Sequence, residues 1–182
     1  MFTKSPRFVA GLLLSLAFVF AQTFAATTPA QQAAPLDFSL RTVDGGSITS
    51  EQLRGDVVVL AFGASWLPLS RTQVEGVQHL ADEFRDRDLR VYWVSTDSES
   101  PKSKNYATDE QLRSFARKNG LKVAVLRDPE GALFKRMGVE RNQLPALVIL
   151  DKEGNISGDP IGGFDPEGNL VQRLSPRLTK LF

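Results

Sequence analysis

A chain of 182 residues, 42% hydrophobic and 24% charged, is long enough to bury one core of useful size. Its formal net charge of +1, with no run of Lys or Arg beyond the first residues, excludes a nucleic-acid or anionic-lipid surface built on charge. Zero cysteines and a single histidine, His79, exclude disulfides and thiol chemistry by this chain alone and leave no soft-ligand set for copper, Met137 being the one thioether after Met1.

Residues 1–25 read as a secretory signal. Lys4 and Arg7 give a positive start, Phe8 to Ala21 is an uncharged apolar run, and Thr23-Phe24-Ala25 offers a small-x-small cleavage site before Ala26. The run falls short of the ~20 residues that span a bilayer as a helix. Export with cleavage is therefore the expectation, and an uncleaved anchor on the outer face of the inner membrane is the alternative. A lipid anchor would require a cysteine. Without Lys4 and Arg7, the 22 basic residues become 20 against 21 acidic, a net charge of −1. Residues 26–35, with Pro29 and Pro35 and no apolar periodicity, read as a flexible leader, and 36–182 as one domain.

In that domain, Asp37 to Ile48 alternates Phe38, Leu40 and Val43 with polar residues and turns at Asp44-Gly45-Gly46, which predicts a hairpin. Ser50 is placed to cap a helical turn that Gly55 stops. Val57 to Phe62 is continuously apolar, the pattern of a strand covered on both faces. From Pro68, Val74, Val77, Leu80, Ala81 and Phe84 recur at helical spacing to about Asp86. Arg90 to Ser95 predicts a second strand, Thr96 to Ala107 a loop, and Thr108 with Gln111 a capping box opening a helix that closes at Asn119-Gly120. Lys122 to Leu126 predicts a short strand and Ala132 to Met137 a helical turn. Ala146 to Leu150 and Ile156 to Ile161 predict a hairpin across Lys152-Glu153-Gly154-Asn155, and Pro166 to Phe182 a closing helix weakened by Gly168 and Pro176. Two βα units followed by a hairpin and a helix indicate an α/β sandwich with a mixed sheet.

The segment Phe62-Gly63-Ala64-Ser65-Trp66-Leu67-Pro68-Leu69-Ser70-Arg71, between a buried strand and a helix, resembles the active-site segment of thioredoxin-like proteins. It is most similar to the exported TlpA/ResA branch, related to the AhpC/TSA and redoxin proteins, in which the strand end runs into Trp-Cys-Pro-x-Cys. Val94-Ser95-Thr96-Asp97, Leu126-Arg127-Asp128, Leu144-Pro145-Ala146 and the Leu150-to-Gly154 turn follow in the order that resemblance implies. It further implies a thioredoxin-like three-layer sandwich, a central mixed sheet flanked by helices with an N-terminal hairpin, and a cis bond before Pro145. In the branch the first cysteine stands at the helix N-terminus, where the helix dipole favours thiolate. Leu67 holds that position here, Ser70 holds that of the resolving cysteine, and Gln73, which does not titrate, stands where the branch often carries glutamate.

Other chemistries find no support in the residues. His79 lies nine residues beyond Ser70 on the same helix, roughly 13 Å along the axis and on the opposite face, so Ser70 has no local base. Asp128 with Glu130, and Asp151 with Glu153, fit turn chemistry better than calcium. Gly45-Gly46 and Gly162-Gly163 lack the setting of a phosphate loop. No catalytic residue, metal or cofactor is therefore expected. The leading expectation is an exported, periplasmic pseudo-oxidoreductase with the degenerate motif Trp66, Leu67, Pro68, Leu69 and Ser70, in which Trp66, Leu67, Pro68, Leu69 and the Leu144-Pro145 edge line an apolar groove for an extended segment of another exported or envelope protein. The alternatives are a component of a thiol-disulfide redox pathway acting with a cysteine-containing partner, and a structural domain that makes no use of the groove.

Overall fold

The computed structural model describes Met1, residues 35–162 and residues 169–182. The chain divides into a unit of residues 1–31 and a unit of residues 32–182. The signal segment expected at 1–25, and the leader at 26–35 apart from Pro35, lie outside the described residues. Among the described residues no helix is long and apolar enough to cross a membrane.

Six strands, β1 (Ser39–Thr42), β2 (Ser47–Thr49), β3 (Val57–Gly63), β4 (Leu89–Ser95), β5 (Val125–Arg127) and β6 (Ala146–Leu150), form one mixed sheet in the order β2-β1-β5-β4-β3-β6. β3, β4 and β5 are parallel, while β6 runs antiparallel to β3, and β1 is antiparallel to both β5 and β2. The six-residue apolar run in the sequence thus lies in an interior strand, β3, paired on both sides. Val57, Val59 and Ala61 face one layer with Val91 and Trp93 of β4 and Leu147 and Ile149 of β6. Val58, Leu60 and Phe62 face the other with Tyr92, Val94 and Val148.

The first layer is covered by α1 (Pro68–Glu83), α2 (Asp109–Lys118) and α4 (Leu170–Leu178), through Val74, Val77, Leu80, Leu112, Leu174 and Leu178. The second is covered by α3 (Ala132–Arg136) and the hairpin, through Leu133, Phe134, Phe38 and Leu40. α2 begins with the expected box: Thr108 Oγ1 accepts from Gln111 N, and Gln111 Oε1 accepts from Thr108 N.

Four expectations are corrected. Ser50 is not a side-chain cap of the 3-10 turn Glu51–Leu53; its hydroxyl faces inward, donating to Asp37 at 2.8 Å and accepting from Phe38 N, while Thr49 and Gln52 exchange the capping bonds. α1 ends at Glu83 rather than near Asp86. The strand expected at Lys122–Leu126 is Val125–Arg127, because pairing starts only where Val125 meets Trp93. Ile156–Ile161 is no strand: Gly158, at φ 61°, and Pro160 interrupt it, leaving two isolated bridges, Leu150 to Ile156 and Leu147 to Ile161. The closing helix is described from Leu170 to Leu178, with Pro176 inside it.

An ion-pair cluster joins the hairpin to the sheet and to α2. Arg127, on β5 and buried, donates to Asp109 Oδ1 at 2.9 Å and to the Ala107 carbonyl, and Arg41 on β1 donates to both oxygens of Asp109. The Arg41 hydrogen bond, reinforced by Arg127, holds the Asp109 carboxyl below the usual carboxylate range. A depressed carboxyl contributes stability that is present above its unfolded value of about 3.9 and is lost as pH falls through the folded value. Asp109→Asn should therefore flatten the acid limb of stability, measured by urea unfolding between neutral and strongly acid pH; an unaltered acid limb would show that the cluster carries no linkage.

Candidate functional site

The motif begins where β3 ends. Leu67 is the N-cap of α1 and, having no polar atom, makes no side-chain capping bond; Pro68, in the first turn, needs no N–H partner. The turn closes through Leu67 N to Ala64 O at 3.0 Å and Ser70 N to Leu67 O at 3.1 Å. Ser70, fully buried, accepts from Ala64 N at 3.1 Å, so its hydroxyl fastens the helix back onto the strand end. On the other side, the buried Asp97 carboxylate accepts from Ser65 N and Ser65 Oγ, both at 2.9 Å, and from Ser95 Oγ at 2.8 Å. The loop carrying Trp66 is thereby tied to the end of β4.

Beneath the motif lies Gln73, also fully buried. Its Nε2 donates to the carbonyls of Phe62 and Ala146, each at 3.1 Å, and its Oε1 accepts from Trp93 Nε1 at 3.1 Å. One amide thus joins α1 to β3, β6 and β4, with both of its donor hydrogens used. Gly63 makes room for it: a Cβ there would meet Gln73 Oε1 at 2.7 Å, Ser70 Oγ at 2.9 Å and Trp93 Nε1 at 3.0 Å.

A cavity of about 140 Å³ opens beside Leu67, lined by Trp66, Leu67, Thr96, Asn105, Glu130, Phe134, Arg141 and Leu144. Of the residues expected in the groove, Trp66, Leu67 and Leu144 line this cavity. Pro145 is buried behind Leu144, joined to it by a cis peptide bond, as the resemblance implies. Pro68 and Leu69 are exposed on the first turn of α1 and outside the lining, and Ser70 is turned inward. Thr96, Asn105, Glu130, Phe134 and Arg141 were not expected from the sequence. They reach the site from four separate segments, and the one local signal was the Pro129-Glu130-Gly131 turn.

The arrangement cannot run thiol exchange, since Leu67 offers no lone pair and Ser70 cannot be oxidised to a disulfide. Nor is Ser70 an activated nucleophile: its oxygen is occupied by Ala64 N, and His79 is exposed further along the helix. Among the described residues no cluster of three or more metal-ligating His, Asp or Glu side chains occurs. Asp128 instead caps α3, accepting from Leu133 N and Phe134 N, both at 2.9 Å, and Asp151 Oδ1 accepts from Glu153 N and Asn155 N within its turn.

Two outcomes test this geometry. Gln73→Glu should place a carboxyl against two carbonyl oxygens, raising its pKa above the ordinary glutamate value. The folded state then binds the proton more tightly than the unfolded state, so the variant loses stability as pH rises, by about 1–3 kcal/mol at neutral pH; a pH series of denaturant unfolding reads this, and a pH-independent loss would contradict it. The double variant Leu67→Cys with Ser70→Cys should close an intramolecular disulfide on mild oxidation, since both positions share one hydrogen-bonded turn. Thiol titration and size-exclusion chromatography distinguish that from persistent thiols or cross-linked dimers.

Comparison with known proteins agrees with this architecture. Residues 30–158 match the AhpC/TSA family. The thioredoxin-like protein YneN of Bacillus subtilis (strain 168) is 30% identical over 133 residues, which cover 72% of this chain and 71% of YneN. The exposed lipoprotein thioredoxin Etrx1 of Streptococcus pneumoniae strain TIGR4 is 28% identical with a TM-score of 0.59, covering 78% of this chain and 99% of its own. A secreted Mycobacterium tuberculosis disulfide oxidoreductase homologous to E. coli DsbE, 21% identical, shares the fold with a TM-score of 0.61 over 79% of this chain and 96% of its own. With its mixed sheet, its motif between β3 and α1 and its cis-proline opposite, this cysteine-free chain belongs to the AhpC/TSA family and has a thioredoxin-like fold.

Proposed function

We propose that the chain is an exported thioredoxin-fold protein that engages an extended segment of another exported or envelope protein without oxidising or reducing it. The observation that carries this reading is the position of Leu67. At the place where the resemblance implies a nucleophilic sulfur, an aliphatic side chain faces a cavity shared with Trp66 and Leu144, beside the cis bond to Pro145. An extended chain laid along the Leu144 backbone could pair with it in the manner of an added strand, a contact that needs no sulfur.

The signal-like residues 1–25 support export to the periplasm, as does the similarity to proteins described as secreted or as an exposed lipoprotein. Membership of a family that includes disulfide oxidoreductases favours one second reading, in which the chain serves a thiol-disulfide pathway beside a cysteine-containing partner.

Leu67 is only half-buried, so Leu67→Asp should fold while placing a charge in the groove. Affinity purification of the full chain and of this variant from the source cells, compared by quantitative mass spectrometry, should show partners lost from the variant. Equal recovery would remove the groove from the function.

A further inference from the structure

We infer that the cavity beside Leu67 takes one uncharged apolar side chain, and that Glu130 and Arg141 form a self-neutralised rim that turns charged side chains away; this rests on the groove reading above. The size fits a single side chain: about 140 Å³ is close to the ~150 Å³ apolar cavity that accepts a benzene ring. Trp66, Leu67, Phe134 and Leu144 supply apolar walls, and Phe134 is held from behind by Phe62 at a ring-centroid distance of 6.1 Å.

The rim is where charge could enter, and its charges are already matched. Glu130 Oε1 accepts from Ser98 Oγ at 2.7 Å, and Oε2 lies 3.6 Å from Arg141 Nη2, which also donates to the Glu130 carbonyl at 3.3 Å. Thr96 and Asn105 complete the lining without charge. A charged side chain moving in would shed its hydration and meet no uncompensated partner, whereas an apolar one gains by leaving water.

Backbone conformation marks Glu130 as a residue with a use. Among the described residues it is the one non-glycine with positive φ, at 64°, a conformation that glycine adopts without steric cost. Strained backbone of this kind concentrates at functional positions. Here the left-handed residue is the one that holds its carboxylate between Ser98 and Arg141 at the cavity mouth.

The test uses capped heptapeptides Gly-Ser-Thr-Xaa-Thr-Ser-Gly with Leu, Phe, Asp or Lys at the centre, titrated calorimetrically against the full chain. The Leu and Phe peptides should bind at least about tenfold tighter than the Asp and Lys peptides. Glu130→Gly frees Arg141 and should selectively recover the Asp peptide, while Arg141→Gln frees Glu130 and should recover the Lys peptide. Thermal unfolding confirms that both variants fold, and Glu130→Gly should be no less stable than the parent. Equal binding of all four peptides, or the same ranking in both variants, overturns the rim. Ranked binding that Leu67→Asp leaves unchanged overturns the groove reading instead, and no binding by any peptide overturns both.

Discussion

Everything at the motif depends on one buried amide. Gln73 is a neutral group in a site closed to water, and its geometry is demanding because it must donate twice and accept once. Donating to Phe62 O and Ala146 O ties the neighbouring ends of β3 and β6, and accepting from Trp93 fixes the indole that stacks on Phe115 of α2 at 5.1 Å. The start of α1 is thereby set against three strands and, through Trp93, against a second helix. A carboxylate could not replace it without a proton, and an aliphatic residue would leave the Trp93 indole N–H unpartnered in the core.

This arrangement relates the lost dithiol to the preserved shape. Ser70 takes up one backbone N–H, Gln73 takes up two carbonyls, and Gly63 leaves space for both. Each polar group of the motif is satisfied within the chain, so the site is packed as a finished structure and its geometry does not await a missing sulfur. Trp66 and Leu67 are turned outward, into a cavity whose other walls come from distant segments.

The sequence carried the sheet clearly where physics is local. Six consecutive apolar residues require cover on both faces, and Val57 to Phe62 received it; Thr108 with Gln111 specified a cap that needs no tertiary contact. It misled over where pairing starts and stops. Ile156 to Ile161 is broken locally by Gly158 and Pro160 and meets its partners only at two bridges, and Lys122 to Ala124 precedes the point where β5 reaches β4. Ser50 looked like a cap because of its place, yet its hydroxyl found better partners across the hairpin. At the site, the motif was legible because it is contiguous and resembles a known family. Glu130 and Arg141 were not, since the turn around Glu130 marks a bend but nothing local to either residue places it beside Leu67.

The Asp97 carboxylate has a wider consequence. In a dithiol protein the active-site loop changes its covalent structure with each turnover, so its shape can follow the surrounding redox potential. Here the loop bearing Trp66 is anchored by two hydrogen bonds from Ser65 to Asp97, and it holds no thiol that could be oxidised to a disulfide. Its conformation is therefore uncoupled from the oxidant supply. The same face would be presented under oxidising and under reducing conditions.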